Sequence, residues 1–117
     1  MEKEFNVHMY QILKVQAPFG RTSSEGCLGG DAIRLLIEEH WGKSEKIMVF
    51  FDGIVKITRP FVDEAFAKLL EKYSLEEFNQ KLHFPDANDH IVKALNDAIK
   101  LRLKIIRAQK EREDSNA

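Results

Sequence analysis

A hydroxyl, a cation and a proline stand together at Thr58-Arg59-Pro60, and two carboxylates, Asp63 and Glu64, follow closely. Two interpretations fit this order of residues. In the first, Thr58 caps a helix and Pro60 takes its first position. The two carboxylates then interact favourably with the positive end of the helix dipole. In the second, the same groups offer hydrogen bonds and charge to a partner, while the proline ring keeps the turn rigid. The spacing leaves both interpretations open.

A glycine-rich segment, GRTSSEGCLGG over residues 20–30, precedes a predicted helix and invites comparison with phosphate-binding loops. Such loops hold an anion with backbone N–H groups at a helix start. The segment lacks both the Gly-Lys-Ser/Thr ending of a Walker loop and the Gly-x-Gly-x-x-Gly pattern, and Asp31 would repel an anion. We interpret it as a flexible loop in which Arg21 is a candidate contact for a partner or ligand.

Thiol and metal chemistry have little support in the sequence. Cys27 is the only cysteine, and a nucleophilic thiol needs a neighbouring base. The histidines are scattered, and His83 and His90 lie seven residues apart, unlike the closer pairs of zinc sites. We therefore predict no catalytic residues, no metal ion and no cofactor, and so a protein that is not an enzyme.

Composition and charge narrow the class of protein. The chain has 117 residues, 44% of them hydrophobic and 32% charged, which suits one domain with a buried core. Its 18 basic and 19 acidic residues give a net charge of −1, so nucleic acid is not the expected partner. The lone cysteine and the lack of a signal-peptide pattern predict a cytoplasmic location. No apolar run reaches the roughly 20 residues of a membrane span.

The elements that position these groups follow from periodicity. Alternation over residues 5–15 predicts a half-buried strand. An amphipathic helix is predicted from an N-cap at Asp31 to a stop at Gly42. The apolar run over residues 47–51 predicts a strand that is buried on both faces.

The pair Asp52-Gly53 fits either a hairpin turn or a short connection, and we favour the connection because Pro60 soon ends the following run. The remaining predicted elements are a helix over 60–73, a helical turn with a capping box at Ser74 and Glu77, a strand over 81–84 and a helix over 88–111. This alternation predicts an α/β fold with a small mixed, mostly parallel sheet and about three main helices. We expect the domain to span residues 1–110 and a polar, frayed tail to follow over 111–117.

The last predicted helix is apolar on two sides. The two stripes consist of Val92, Leu95, Ile99, Leu103 and Ile106, and of Ala94, Ala98, Leu101, Ile105 and Ala108. One side is expected to pack on the sheet. The other fits a neighbouring helix or a second subunit, which makes this helix a candidate homo-oligomer contact.

The segment VFFDGIVKITRPFVDEAFAKLL, residues 49–70, resembles the STAS-like domains of unknown function, relatives of the anti-sigma-factor antagonists. The likeness rests on Gly53 and Ile54 in a turn, Ile57 and Thr58 as an Ile-Ser pair, and Phe61, Asp63 and Glu64 at a helix start. It extends more weakly to Arg21 and Gly26 in the glycine-rich loop and to Asn88 and Arg102 at the final helix. Phe50 replaces the aspartate that is usual in the turn.

The resemblance implies an α/β sandwich with helices on one side of a mixed sheet, and a non-enzymatic regulatory role in protein binding. In the better-known relatives the partner is a histidine-kinase-like ATPase that phosphorylates a serine at the start of this helix. We call this region, Thr58 to Glu64 in the present chain, the helix mouth. That serine aligns with Pro60, so Thr58 is the nearest candidate for phosphorylation.

We predict a partner-binding site made of Thr58, Arg59, Pro60, Asp63, Glu64 and Arg21. The alternative is a nucleotide- or nucleic-acid-binding component that uses the Arg21 loop and the basic final helix.

Overall fold

The computed structural model describes residues 2–115, which form a three-stranded sheet packed against helices. The strands are β1 (Glu2–His8), β2 (Ser44–Phe50) and β3 (Leu82–His83). The helices are α1 (Met9–Leu13), α2 (Gly30–His40), α3 (Arg59–Ala65), α4 (Leu75–Lys81) and α5 (Asp89–Ser115), and a 3₁₀ helix (Ala67–Glu71) lies between α3 and α4. The predicted α/β class is confirmed, with five α-helices because two short ones, α1 and α4, accompany the main ones.

The strands lie in the order β1-β2-β3, and both strand pairings of this sheet are parallel, so the sheet is not mixed. Phe5 lies opposite Ile47, Val7 opposite Val49, and Ile47 also opposite Leu82. Because side chains alternate along a strand, this register places the apolar residues on one face, which the helices cover. The prediction that β2 is buried on both faces is wrong, since its alternate residues are only half-buried.

The first strand is shorter than predicted. β1 ends at His8, and the chain turns into α1, from which Met9 and Leu13 face the core. Lys14 then adopts a left-handed conformation with φ of 61°, which ends the helix.

The connection after β2 is confirmed. Ile54 N donates to Phe51 O at 2.8 Å to close the turn, and no strand follows within the described residues 51–58. Gly53 has a φ of +91°, and a Cβ there would lie 2.8 Å from Cγ of Tyr10. Glycine therefore meets both the backbone and the packing requirement of this turn.

The predicted helix over 60–73 is divided in two. It begins one residue earlier than predicted, at Arg59, and α3 ends at Ala65. Phe66 has φ of −126° and ψ of −54°, and the chain continues as the tighter 3₁₀ helix. Phe66, at the break, and Leu69 in the 3₁₀ helix are both fully buried.

The C-terminal elements agree closely with the sequence. The capping box of Ser74 and Glu77 starts α4, and β3 follows it directly. Asn88 accepts a hydrogen bond from Ile91 N at 2.9 Å at the start of α5. α5 continues to Ser115, past the predicted end of the helix at 111, while residues 116–117 lie outside the described residues. The frayed polar tail over 111–117 stays a prediction.

The final helix packs mainly on α3 and the 3₁₀ helix, not on the sheet as predicted. Its contact face is Ile91, Leu95 and Ala98, all buried. Val92 and Leu101 remain exposed on its flanks. The predicted homo-oligomer contact through this helix stays a prediction.

Helices α2 and α3 approach each other closely at Gly30. A Cβ at this position would lie 2.8 Å from the backbone oxygen of Phe61 and 2.9 Å from Cβ of Glu64. Real Cβ atoms do not come this close to backbone atoms, so the contact requires glycine.

We expect Gly30→Ala to lower the free energy of unfolding by about 1–3 kcal/mol, the usual cost of overpacking a rigid contact. Urea denaturation measures this change. Gly42→Ala is the matched control, because a Cβ there would meet nothing within 4 Å. Equal stability of the two variants would contradict the close approach of α2 and α3.

Candidate partner-binding surface and the ion pairs beneath it

The helix mouth is built around the Thr58 hydroxyl. Thr58 Oγ1 accepts a hydrogen bond from Phe61 N at 3.4 Å and so caps α3. The same hydroxyl donates to the carbonyl oxygen of Phe19 at 3.0 Å. Thr58 therefore joins the start of α3 to the segment that leads into the glycine-rich loop.

The surface of the helix mouth consists of Arg59 and Pro60, which are both exposed, together with two exposed apolar side chains. Phe19 is 67% exposed and Val55 is 72% exposed. Val55 lies in the same connection, where its N–H donates to Gln16 O at 2.7 Å. Exposed apolar patches on soluble proteins often mark contact sites, so these two side chains make the helix mouth the candidate surface.

Asp63 follows on the second turn of α3, where the residue is only 7% exposed and its side chain 10%. Arg21 Nη1 donates to its Oδ2 at 2.6 Å, and Arg102 Nε donates to its Oδ1 at 2.9 Å. Arg102 Nη2 also donates to Oδ2, which makes the pair bidentate. Asp63 therefore joins the glycine-rich loop to the final helix.

The titration of Asp63 reflects two opposing effects. Burial alone would raise the pKa of Asp63, but the hydrogen bonds and charges of Arg102 and Arg21 outweigh it and hold that pKa below 3.8. The same contact raises the pKa of Arg102. Both groups therefore stay ionised near neutral pH.

Glu64 is 5% exposed and contacts a second set of cations. Arg34 Nη1 lies 3.0 Å from its Oε2, and Lys68 Nζ lies 3.0 Å from its Oε1. Arg21 Nη1 lies 3.8 Å from Oε1, so Arg21 is shared between the two carboxylates.

The structure thus separates the six predicted site residues into two groups. Arg59 and Pro60 are at the surface, Thr58 is half-buried, and Arg21 keeps 45% of its side chain exposed. Asp63 and Glu64 lie beyond the first turn of α3, and their burial replaces the predicted dipole role with ion pairing. The sequence signal for these ion pairs is that both acids stand within an otherwise apolar run, residues 61–67. The structure buries this whole run, and a buried carboxylate needs a charged partner.

The glycine-rich loop is tied down by Asp31 and Ser23. Asp31 Oδ1 accepts from Ser23 N at 2.9 Å and from Ser23 Oγ at 2.6 Å, while Gly29 N donates to Ser23 Oγ. Burial opposes ionisation of Asp31, but the hydrogen bonds from Ser23 outweigh it and lower the pKa of Asp31. Asp31 is not the N-cap of α2, which is Gly29.

The start of α2 has no free donors for a phosphate at its first positions. Gly30 N donates to Gly20 O, and Asp31 N donates to Arg21 O, both at 2.9 Å. Because these N–H groups are taken by the loop itself, the loop folds back on the helix instead of enclosing an anion. Of the two arginines near this loop, Arg102 is largely buried against Asp63, whereas Arg21 contacts Asp63 and still keeps 45% of its side chain exposed.

Cys27 is exposed and pairs through its backbone with Ser24 in an isolated bridge. Within residues 2–115, no group of three or more His, Cys, Asp or Glu side chains is placed to hold a metal ion. None of the described helices is long and apolar enough to cross a membrane.

The comparisons with known proteins agree with this fold. The family model described as a STAS-like domain of unknown function (DUF4325) matches residues 29–92, from the end of the glycine-rich loop to the first turn of α5. The chain belongs to this family. Neither the curated proteins nor the solved structures contain a significant match.

Proposed function

We propose that this STAS-like domain is a non-enzymatic, regulatory protein-interaction module that binds its partner at the helix mouth. The observation that carries the proposal is the exposure of Phe19, whose carbonyl oxygen accepts from Thr58, and of Val55 in the connection that leads to Arg59 and Pro60. Aromatic side chains and arginine are the residues that most often dominate binding energy at protein interfaces. Arg21, with nearly half of its side chain exposed, extends the same surface toward the glycine-rich loop.

The buried acids have a supporting role in this proposal. Asp63 and Glu64 are saturated with arginine and lysine contacts, so neither is a suitable general base. Their ion pairs hold the loop, α3 and α5 together beneath the contact surface. A surface that is ordered before binding loses less entropy when a partner docks.

A phosphorylation switch at Thr58 is the further regulatory possibility that the family resemblance suggests, with a histidine-kinase-like ATPase as the partner. A phosphate on Thr58 Oγ1 would remove the hydrogen bond to Phe19 O, because the oxygen would no longer carry a proton. The helix start would tolerate the added negative charge, since the helix dipole favours anions there. Phosphorylation would therefore release the Phe19 segment while it leaves α3 in place.

We expect Arg59→Glu to weaken partner binding by about 1–3 kcal/mol and to change the free energy of unfolding by at most about 0.5 kcal/mol. Arg59 is exposed and makes no ion pair among the described residues, so the fold does not depend on its charge. The measurement is a calorimetric titration of wild type, Arg59→Glu and Thr58→Glu against the protein recovered by affinity capture from native lysate.

The matched control is Leu35→Ala, which removes an apolar side chain that is 57% exposed on α2, away from the helix mouth. It should bind as wild type does, whereas Phe19→Ala should lose affinity. If wild type, Arg59→Glu, Thr58→Glu and Phe19→Ala all bind equally, the contact surface lies elsewhere and the proposal fails.

A further inference from the structure

A hollow of about 230 Å³ adjoins the helix mouth, between the start of α3 and the first turns of α5. Pockets for small molecules usually enclose about 300–1,000 Å³, so this one is better suited to one or two side chains of a protein. The residues that line it are Ile57, Arg59, His90, Lys93, Ala94 and Asp97.

The rim of the hollow carries an excess of positive charge. Its one acid, Asp97, already has a cation nearby, since Lys93 Nζ lies 3.7 Å from Asp97 Oδ2 on the same helix. Arg59 has no ion-pair partner among residues 2–115, whereas the arginines that surround Asp63 and Glu64 all have one. The unmatched charge at the rim is therefore that of an arginine that can bind a carboxylate through two hydrogen bonds.

The floor of the hollow is apolar and its walls are rigid. Ile57 is 4% exposed and Ala94 is half-buried, so a small apolar side chain can rest on them. Pro60 fixes one wall through its ring. Asn88 caps the other wall, the start of α5.

We infer that this hollow receives an acidic segment of the partner protein, with a carboxylate on Arg59 and a small apolar side chain on Ile57 and Ala94. The inference rests on the proposed function and specifies the chemistry of its partner. A carboxylate forms charge-assisted hydrogen bonds with the Arg59 guanidinium, about twice as strong as those of a neutral amide. The acids at the end of α5 are a weaker match, because Lys110 and Arg112 alternate with them.

The test uses a display library of short random peptides, selected on wild-type protein. The enriched peptides should carry Asp or Glu next to a small apolar residue. Their affinity should fall about tenfold for Arg59→Gln, as expected when one contact at a hot spot is lost. Lys46→Gln is the matched control, because it removes an exposed charge on β2 and should leave the affinity unchanged.

Peptides without acidic residues, or peptides that bind Arg59→Gln as well as wild type, would overturn the inference. If such peptides still lose affinity for Phe19→Ala, the proposed function survives and only the acidic partner is rejected. If no enriched peptide depends on either set of residues, both fail. A wild-type dimer that Arg59→Gln dissociates in analytical ultracentrifugation would assign the hollow to a second copy of the chain and likewise overturn the inference.

Discussion

Phe66→Ala is expected to lower the free energy of unfolding by about 3–5 kcal/mol, the range for a truncated core aromatic. Phe66 is fully buried at the break between α3 and the 3₁₀ helix. Its ring meets the edge of Phe84 at a centroid distance of 5.4 Å and that of Phe51 at 6.2 Å. Because rigid secondary structure surrounds the ring, the cavity left by alanine can collapse only in part.

Two controls separate the cavity from the aromatic contacts. Phe66→Leu keeps most of the volume and should lose about 0.5–1.5 kcal/mol, the extra worth of edge-to-face ring pairs. Leu35→Ala, on the exposed side of α2, should change stability by less than about 0.5 kcal/mol. Guanidinium denaturation of the four proteins gives these differences. A loss below about 1 kcal/mol for Phe66→Ala would show that this aromatic cluster is misplaced.

The elements that the sequence predicts well are those with a single clear apolar pattern, either a continuous run or one helical period. The apolar run 47–51 gives β2, and the recurrence of apolar residues every three or four positions gives α5. The first strand shows why this method has a limit. Met9 and Leu13 are four residues apart, so they share a face in a strand and also in a helix, and the alternation cannot tell α1 from a continued β1.

The break at Phe66 has a related cause. The apolar pattern continues from α3 into the 3₁₀ helix because both segments face the same core. Local periodicity reports which residues are buried and is less sensitive to a change in helix type. The burial of Phe66 was therefore predictable, although the division of the helix was not.

The ion pairs beneath the helix mouth depend on contacts that are distant in sequence. Asp63 is 42 residues from Arg21 and 39 residues from Arg102, and no periodic pattern joins them. The resemblance pointed to all three residues without giving their contact. Arg34 and Lys68 were missed because a basic residue on a helix surface ordinarily indicates only a solvated face.

Asp63→Ala is expected to be as damaging as the loss of Phe66, at about 3–5 kcal/mol, because it leaves a buried charge without its partner. The charge left without its partner is that of Arg102 on α5. Its side chain is 11% exposed and lies against Asp63 of α3. Arg21 is 45% exposed and can turn to solvent, so Arg21→Gln should cost no more than about 1 kcal/mol. Chemical denaturation should therefore show a large loss in the free energy of unfolding for Asp63→Ala and a small loss for Arg21→Gln.

The double variant Asp63→Ala/Arg102→Met tests whether the orphaned charge causes the loss. Methionine fills much of the same space without a charge, so the double variant should recover a large part of the stability that Asp63→Ala loses. Additive losses for the two substitutions would mean that the residues do not interact. A strong positive recovery would locate the cost in the unpaired arginine.

The same contact makes stability depend on pH in a predictable direction. The pKa of Asp63 is lower in the folded protein than its ordinary value of 3.8, so the ionised carboxylate stabilises the fold above that pH, and this contribution is lost as pH falls through the folded pKa. Asp63→Asn lacks this carboxylate at every pH. The difference in free energy of unfolding between wild type and Asp63→Asn should therefore stay constant from neutral pH to mildly acidic pH and shrink below about pH 4. A difference that persists unchanged into stronger acid would show that the carboxylate is not ion-paired, and that Arg102 is held at α3 by other contacts.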